Sequence, residues 1–396
     1  LSDYSGKSIE PSFNLINFAK KHKAVAKRYP LVENDNSEYK TYNLNKNIAK
    51  RLFFKDEMLE GSISAFEQYN SCNYSYFLKR GLKLYTKELP DLSYAYIGSI
   101  IHEVMEAVTN RQINGLSILD KSEVEAIVYE LMSPIEALNP GDSKTKIVKR
   151  LLIRQINDVL EHMRSIESDT KFKPIMAEQK FTYTINNNIR LYGFVDRVDS
   201  YLENIRVIDF KSSKQNLSEK EFKQGLQLQL ITYLMAISNF YNQRPAGAFY
   251  HTMRLDNTNV IAGTAKKTKD MFYPLTEEEV ETNFLSNNRL AGWHFNDEAD
   301  TFYSSQNYVA GLNEGKSGLS VRGKAKNFDT VATILEAVYK DIYNNLNEGI
   351  IDCIPIDNPC QYCDYHSICL SKTTSNFKEL IYKDQKISEE INNEVD

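Results

Sequence analysis

Hydrophobic positions along the chain change period at one clear point. Before Pro174 they recur every three to four residues. Ser62-Ile63-Ser64-Ala65-Phe66-Glu67-Gln68-Tyr69 reads as a capped helix start that runs on through Cys72 and the aromatic stretch Tyr74, Tyr76 and Phe77. In 97–109, Ile97, Ile101, Val104, Met105 and Val108 share one helical face. Residues 121–138 and 146–166 read as helices in the same way. After Pro174 the period drops to two, which predicts strands over 176–185 and 189–201, folded as a hairpin around Asn186-Asn187-Asn188. Residues 204–211 form a short third strand. A long helix over 219–240, a strand over 246–254 and a helix over 329–348 follow, whereas 255–325 is polar and has no clear period. Helices, meandering strands, a crossover helix and a further strand suggest a mixed sheet of the α/β class.

The 396 residues suffice for a sizeable core. No apolar run is long enough to span a bilayer and no secretory leader opens the chain, so a cytoplasmic setting with no membrane partner is the expectation. Leu1, rather than Met, suggests a piece of a longer polypeptide. The net charge of −5 excludes a surface that is basic all over, but leaves room for a local groove of Lys and Arg that binds DNA.

Candidate chemistry centres on Val207-Ile208-Asp209-Phe210-Lys211. Alternate side chains of a strand share a face, so Asp209 and Lys211 point one way while Ile208 and Phe210 point into the packed side. A carboxylate binds a hard divalent cation, which acidifies water and polarises a phosphoryl oxygen. A neighbouring ammonium can orient that water or offset the charge that develops on phosphorus. Gly193-Phe194-Val195-Asp196-Arg197-Val198-Asp199 supplies a second carboxylate, Asp196, at a spacing that suits an adjacent antiparallel strand. The reading requires Asp196 and Asp209 to stand close enough to share one ion. Glu178 is a further candidate ligand or water-positioning group. Gln229 and Tyr233, at i and i+4, face one side of the following helix, with Gln227 as a rival for the glutamine position. Taken singly, Asp-x-Lys is usually a surface ion pair, and a lone histidine such as His102 usually a core or helix-surface residue.

Of five cysteines, three crowd into Cys360-x2-Cys363-x5-Cys369, and Cys72 lies far upstream. An odd count without a leader does not read as a disulfide framework. Four thiolates suit either tetrahedral zinc or a 4Fe-4S cluster, although a one-plus-three split is unusual for zinc. Cys353 has no place in the pattern and reads as a structural thiol.

His102, the G-x-x-D-R-x-D stretch at 193–199, V-I-D-F-K at 207–211 and Q-x-x-x-Y at 229–233 resemble, in order, the motifs of RecB-family nucleases of the PD-(D/E)XK superfamily. The cysteine split, Phe66-Glu67-x-Tyr69-x-x-Cys72, Phe77-Leu78-x-x-Gly81-Leu82-x-Leu84 and Gly98-Ser99-x-x-His102-Glu103 are similar to AddB-type nuclease domains. The resemblance covers about 61–372. It implies a restriction-endonuclease-like mixed sheet flanked by helices, with a 4Fe-4S staple on Cys72, Cys360, Cys363 and Cys369 joining the domain ends. It also implies Mg²⁺ on His102, Asp196, Asp209 and the Phe210 carbonyl, Lys211 as the catalytic lysine, and Gln229 and Tyr233 supporting the site or contacting DNA. The implied activity is a deoxyribonuclease that cuts the 5′-ended single strand, paired with an AddA-type helicase subunit to process double-strand breaks for recombinational repair. The alternatives are a stand-alone nuclease of the CRISPR adaptation type and an inactive DNA-binding scaffold. Residues 1–60 would be a leading segment and 373–396 a tail.

Three look-alikes are set aside. Ala310-x4-Gly315-Lys316-Ser317 fits a loose phosphate loop but lacks the preceding apolar strand and following helix, so an exposed flexible loop is expected. His102-Glu103-x-x-Glu106 lacks the second histidine of a zincin, which leaves Glu106 as a solvated helix residue. The aromatic residues at 69–77 are read as core packing rather than as a base-stacking platform.

Overall fold

The computed structural model describes residues 42–85, 92–138, 140–256, 265–268, 271–274, 276–356 and 359–369. The tail expected at 373–396 and most of the expected leading segment lie outside the described residues. The chain divides into the units Leu1–Glu38 and Tyr39–Asp396, and everything below concerns the second.

The elements run α1 (Lys46–Phe53), a two-residue strand Phe54–Lys55, β1 (Met58–Ser62), α2 (Ile63–Ser71), α3 (Tyr94–Ile113), α4 (Lys121–Leu138), α5 (Ser143–Asp169), β2 (Lys173–Ile185), β3 (Ile189–Tyr201), β4 (Asn204–Lys211), α6 (Gln229–Tyr241), β5 (Arg244–Thr252), β6 (Ala291–His294) and α7 (Phe328–Asn347), with shorter pieces between them. The seven-stranded mixed sheet has β3 at its heart. One edge of β3 is taken along its length by antiparallel β2. Its other edge is shared: parallel β1 pairs with 189–192, and antiparallel β4 pairs with 197–201. Beyond β4 lie parallel β5 and antiparallel β6.

Helices cover both faces, because the central strands are buried on both sides. Leu191, Val207 and Ala248 pack with Ala49, Phe66, Leu234 and Leu335 from α1, α2, α6 and α7. Ile208, Phe210 and Phe249 pack with Val104, Met132 and Leu160 from α3, α4 and α5. The expected split of β4 is therefore present, with Ile208 and Phe210 on the face opposite Val207. No helix among the described residues is long and apolar enough to cross a membrane.

Three expectations are corrected. Residues 46–60 do not lead into the domain but belong to it, since α1 packs in the core and β1 pairs with β3. The helix expected over 219–240 is broken into Glu219–Lys223 and α6. The break lies at Gly225, whose φ of +73° is left-handed and where a Cβ would stand 2.0 Å from Asn70 Nδ2. Asn70 in turn donates to the Gly225 carbonyl at 3.1 Å. The loop expected around 310–317 is a hairpin of Leu312–Gly315 and Gly318–Val321, so it is not a phosphate loop. The aromatic residues after α2 pack as expected, with Tyr69 and Tyr76 buried edge to face 5.3 Å apart.

Candidate active site

The site forms where β3 changes partner. The antiparallel ladder with β4 ends at Arg197↔Ile208. One register step further, Asp196 comes opposite Asp209, and there a side chain replaces the ladder: Phe210 N donates to Asp196 Oδ2 at 2.7 Å. The fork thus brings two acids from adjacent strands together on one face, both nearly fully buried. Asp196 raises the Asp209 pKa in addition to the larger effect of burial. Against the pull of Lys211, Asp209 is pushed up to about 7.

α3 lays His102 over this fork, its N-terminus capped by Ser93. His102 Nδ1 stands 3.5 Å from both Asp196 Oδ2 and Glu178 Oε1. Those two carboxylates raise its pKa to about 10 despite the opposing effect of burial. Glu178 sits in β2 with a left-handed φ of +43°, a conformation unusual for a non-glycine residue and found at functional sites. The ligand atoms of His102, Glu178 and Asp196 all lie within 4.8 Å of one another. Asp209 lies beside this compact group rather than within it, so the tight set differs from the expected His102, Asp196 and Asp209. Asp209 Oδ2 is buried and accepts no hydrogen bond, although Lys211 Nζ is 2.5 Å away. A buried carboxylate oxygen without a hydrogen bond, next to three oxygen and nitrogen donors, fits a hard divalent cation.

Lys211 Nζ also donates to Gln229 Oε1 at 2.9 Å, and Gln229 Nε2 donates to Tyr233 Oη at 3.0 Å. The two residues four apart on α6 therefore reach the lysine as one chain. Gln227 does not join them; it holds the preceding loop through Ser218 N and Asn216 O. Gly193 lets Tyr233 approach the sheet, since a Cβ there would stand 3.4 Å from its ring and 3.1 Å from that of Phe181.

Glu67 is a residue whose part in the site the sequence did not reveal. Its Oε1 accepts from Leu228 N at 2.7 Å and Gln229 N at 3.1 Å, so it caps the start of α6. Burial pushes its carboxyl up to about 7, opposed by those two amides and by Lys211. α2 carries Glu67 and ends at Cys72, so one helix touches both α6 and the thiols. Capping by a residue 161 positions away leaves no local pattern to read. Glu106, one turn beyond His102, is half-buried rather than solvated.

Cys72, Cys353, Cys360, Cys363 and Cys369 all line one cavity of about 240 Å³. The four expected thiols do converge across the chain, and the cavity offers them room and soft donors suited to an iron–sulfur group. Cys353 is corrected: it belongs to this cavity, with its Sγ 3.1 Å from that of Cys369. The neighbouring backbone is tied independently of any metal, with Ile351 N donating to Tyr42 O at 3.0 Å and Ile356 N to Ser71 O at 2.9 Å.

Comparison with known proteins gives the same family. Residues 60–370 match the model of the PD-(D/E)XK nuclease superfamily. The chain is 28% identical over 381 residues to an AddB-type ATP-dependent helicase/deoxyribonuclease subunit from Caldanaerobacter subterraneus subsp. tengcongensis, covering 84% of this chain and 31% of that protein. It is 28% identical over 390 residues to the protein of the same name in a Thermoanaerobacter species, covering 86% and 32% respectively. The Clostridium botulinum protein of that name is 26% identical over 361 residues, covering 78% and 30%. The chain spans about a third of the length of the curated relatives it matches.

Proposed function

For a chain that belongs to the PD-(D/E)XK nuclease superfamily, we propose metal-dependent hydrolysis of phosphodiester bonds in DNA, as the nuclease part of an AddB-type protein. The observation that carries this reading is the fork, where Asp196 and Asp209 meet beside Lys211 with a buried carboxylate oxygen left without a hydrogen bond. His102, Asp196 and Asp209, with Glu178 added, would hold Mg²⁺. The ion when bound acidifies water and offsets charge on the scissile phosphate.

The residues of the chain supply the rest. The proton on His102, held there by Asp196 and Glu178, must leave before the ring can ligate, so loading releases a proton. Lys211, held by Gln229 and Asp209, presents its ammonium where negative charge grows on the phosphoryl group. Tyr233 fixes Gln229, and Glu67 fixes the backbone that carries it. The substrate would be a single strand delivered from a duplex end, with the 5′-ended strand cut. An AddA-type partner would supply helicase action in the cytoplasm, in the repair of double-strand breaks by recombination. A metal-chelated sample should leave a labelled single strand intact, and excess Mg²⁺ should restore cutting. Lys211→Met should slow cleavage by about a hundred- to a thousandfold. Isothermal titration should find its Mg²⁺ binding retained. Cleavage that survives chelation, or a Lys211→Met variant as fast as wild type, refutes the reading.

Cys72, Cys360, Cys363 and Cys369 would hold a structural 4Fe-4S cluster, since hydrolysis transfers no electrons. Anaerobically purified protein should be brown and contain iron and sulfide. Cys72→Ala should lose both yet keep its sheet by circular dichroism, because backbone bonds also join 42–44 and 71–74 to 349–356. A colourless wild type carrying one zinc per chain refutes the cluster.

A further inference from the structure

The thiol cavity contains one cysteine more than four metal ligands require. Cys353 is 4% exposed, and its thiol is in hydrogen-bond contact with Cys72 as well as 3.1 Å from Cys369 Sγ. Two thiolates on one tetrahedral ion stand about 3.8 Å apart, given metal–sulfur bonds of about 2.3 Å. Thiolates on different irons of a cubane stand farther apart still. At 3.1 Å, Cys353 and Cys369 cannot both be ligands; they occupy one coordination position between them.

We propose that Cys353 is an alternative ligand for the iron that Cys369 binds, so that the site holds five thiols for four places. The proposal rests on the cluster reading above. Exchange needs no redox partner. The iron–sulfur bond to Cys369 breaks, a bond to Cys353 forms, and the proton of the Cys353 thiol passes to the departing Cys369 thiolate. The two cysteines differ in how they are held. Cys353 lies between Ile351 and Ile356, whose amides are bonded to Tyr42 and Ser71. Cys369 ends the short helix His366–Cys369, four residues after Tyr365, whose hydroxyl reaches Leu84 O at 2.6 Å. Ligation by Cys353 would keep the fourth iron bound while the segment around Cys369 moves away.

The test uses the full chain, reconstituted without oxygen, with iron and sulfide per chain and the visible spectrum as readouts. Cys353→Ala should retain the wild-type content, and Cys369→Ala more than about half of it. The double variant should fall below about a tenth, as should Cys360→Ala, which has no spare thiol beside it. A folded Cys369→Ala variant as empty as the double variant overturns the proposal. Alkylation of the loaded wild type, followed by peptide mass analysis, tests it without any variant. Label should divide between Cys353 and Cys369, and label on Cys353 alone overturns it. Wild type that takes up no iron removes the cluster reading and this proposal together, whereas loss confined to Cys369→Ala removes only the proposal.

Discussion

Asp209→Ala is expected to lower Mg²⁺-dependent cleavage by at least about a thousandfold, because it removes both an ion ligand and the anchor of Lys211. The fold should not suffer. Burial and the charge of Asp196 hold the Asp209 carboxyl up at about 7, well above the ordinary carboxylate range. A group with a raised folded-state pKa favours its protonated form, so the metal-free protein loses stability as pH rises from that ordinary range through about 7. Above neutrality and without Mg²⁺, the variant should therefore melt no lower than wild type. Added Mg²⁺ should raise the wild-type melting temperature and leave that of the variant nearly unchanged. Paired assays of cleavage and thermal melting check both halves. A variant that still cuts at near wild-type rate places the chemistry elsewhere. One that melts far below wild type makes Asp209 a structural residue.

The second large effect falls on stability. Asp199 is fully buried and takes Arg197 Nε at 2.6 Å on one oxygen and Arg206 Nη2 at 2.8 Å on the other. Arg197 reaches on to Glu167 at 3.0 Å, and the guanidinium of Arg206 lies 4.6 Å from the Phe172 ring centre. Replacing Asp199 by Ala leaves two buried guanidinium groups short of an anion. Breaking a buried pair in this way costs about 3–5 kcal/mol. Urea denaturation should show that loss, and Asp199→Asn, which keeps the shape but not the charge, should recover only part of it. Although burial pushes the Asp199 carboxyl up, the two arginines outweigh it and hold it below the ordinary range. Its stabilisation is therefore present above that range and lost as pH falls through the depressed value. A loss under about 1 kcal/mol in Asp199→Ala would mean that the network is relaxed by water and adds little.

Asp199 shows how far a motif can be read. In G-x-x-D-R-x-D the two acids look equivalent, yet Asp196 faces the fork and Asp199 faces Arg206 across the β3–β4 ladder. Spacing separates them by strand parity, but which face carries the chemistry depends on what packs against each.

Local sequence fixes what neighbours in the chain can decide. The period of two over 176–211 marks β2, β3 and β4, because successive side chains of a strand alternate whatever lies beyond them. The same rule sets Asp209 with Lys211, and a helical turn sets Gln229 with Tyr233. Long-range contacts decided the rest. β1 is legible only through its pairing with 189–192, some 130 residues on. α6 begins where it does because Asn70 and Glu67 meet Gly225 and the Leu228 and Gln229 amides. Glu178 joins His102 through its left-handed backbone, and Cys353 joins four other thiols through a closure of the chain that no spacing of cysteines encodes. Periodicity is a property of a few consecutive residues, whereas a site is a meeting of groups whose separation in sequence carries no information until the sheet is assembled.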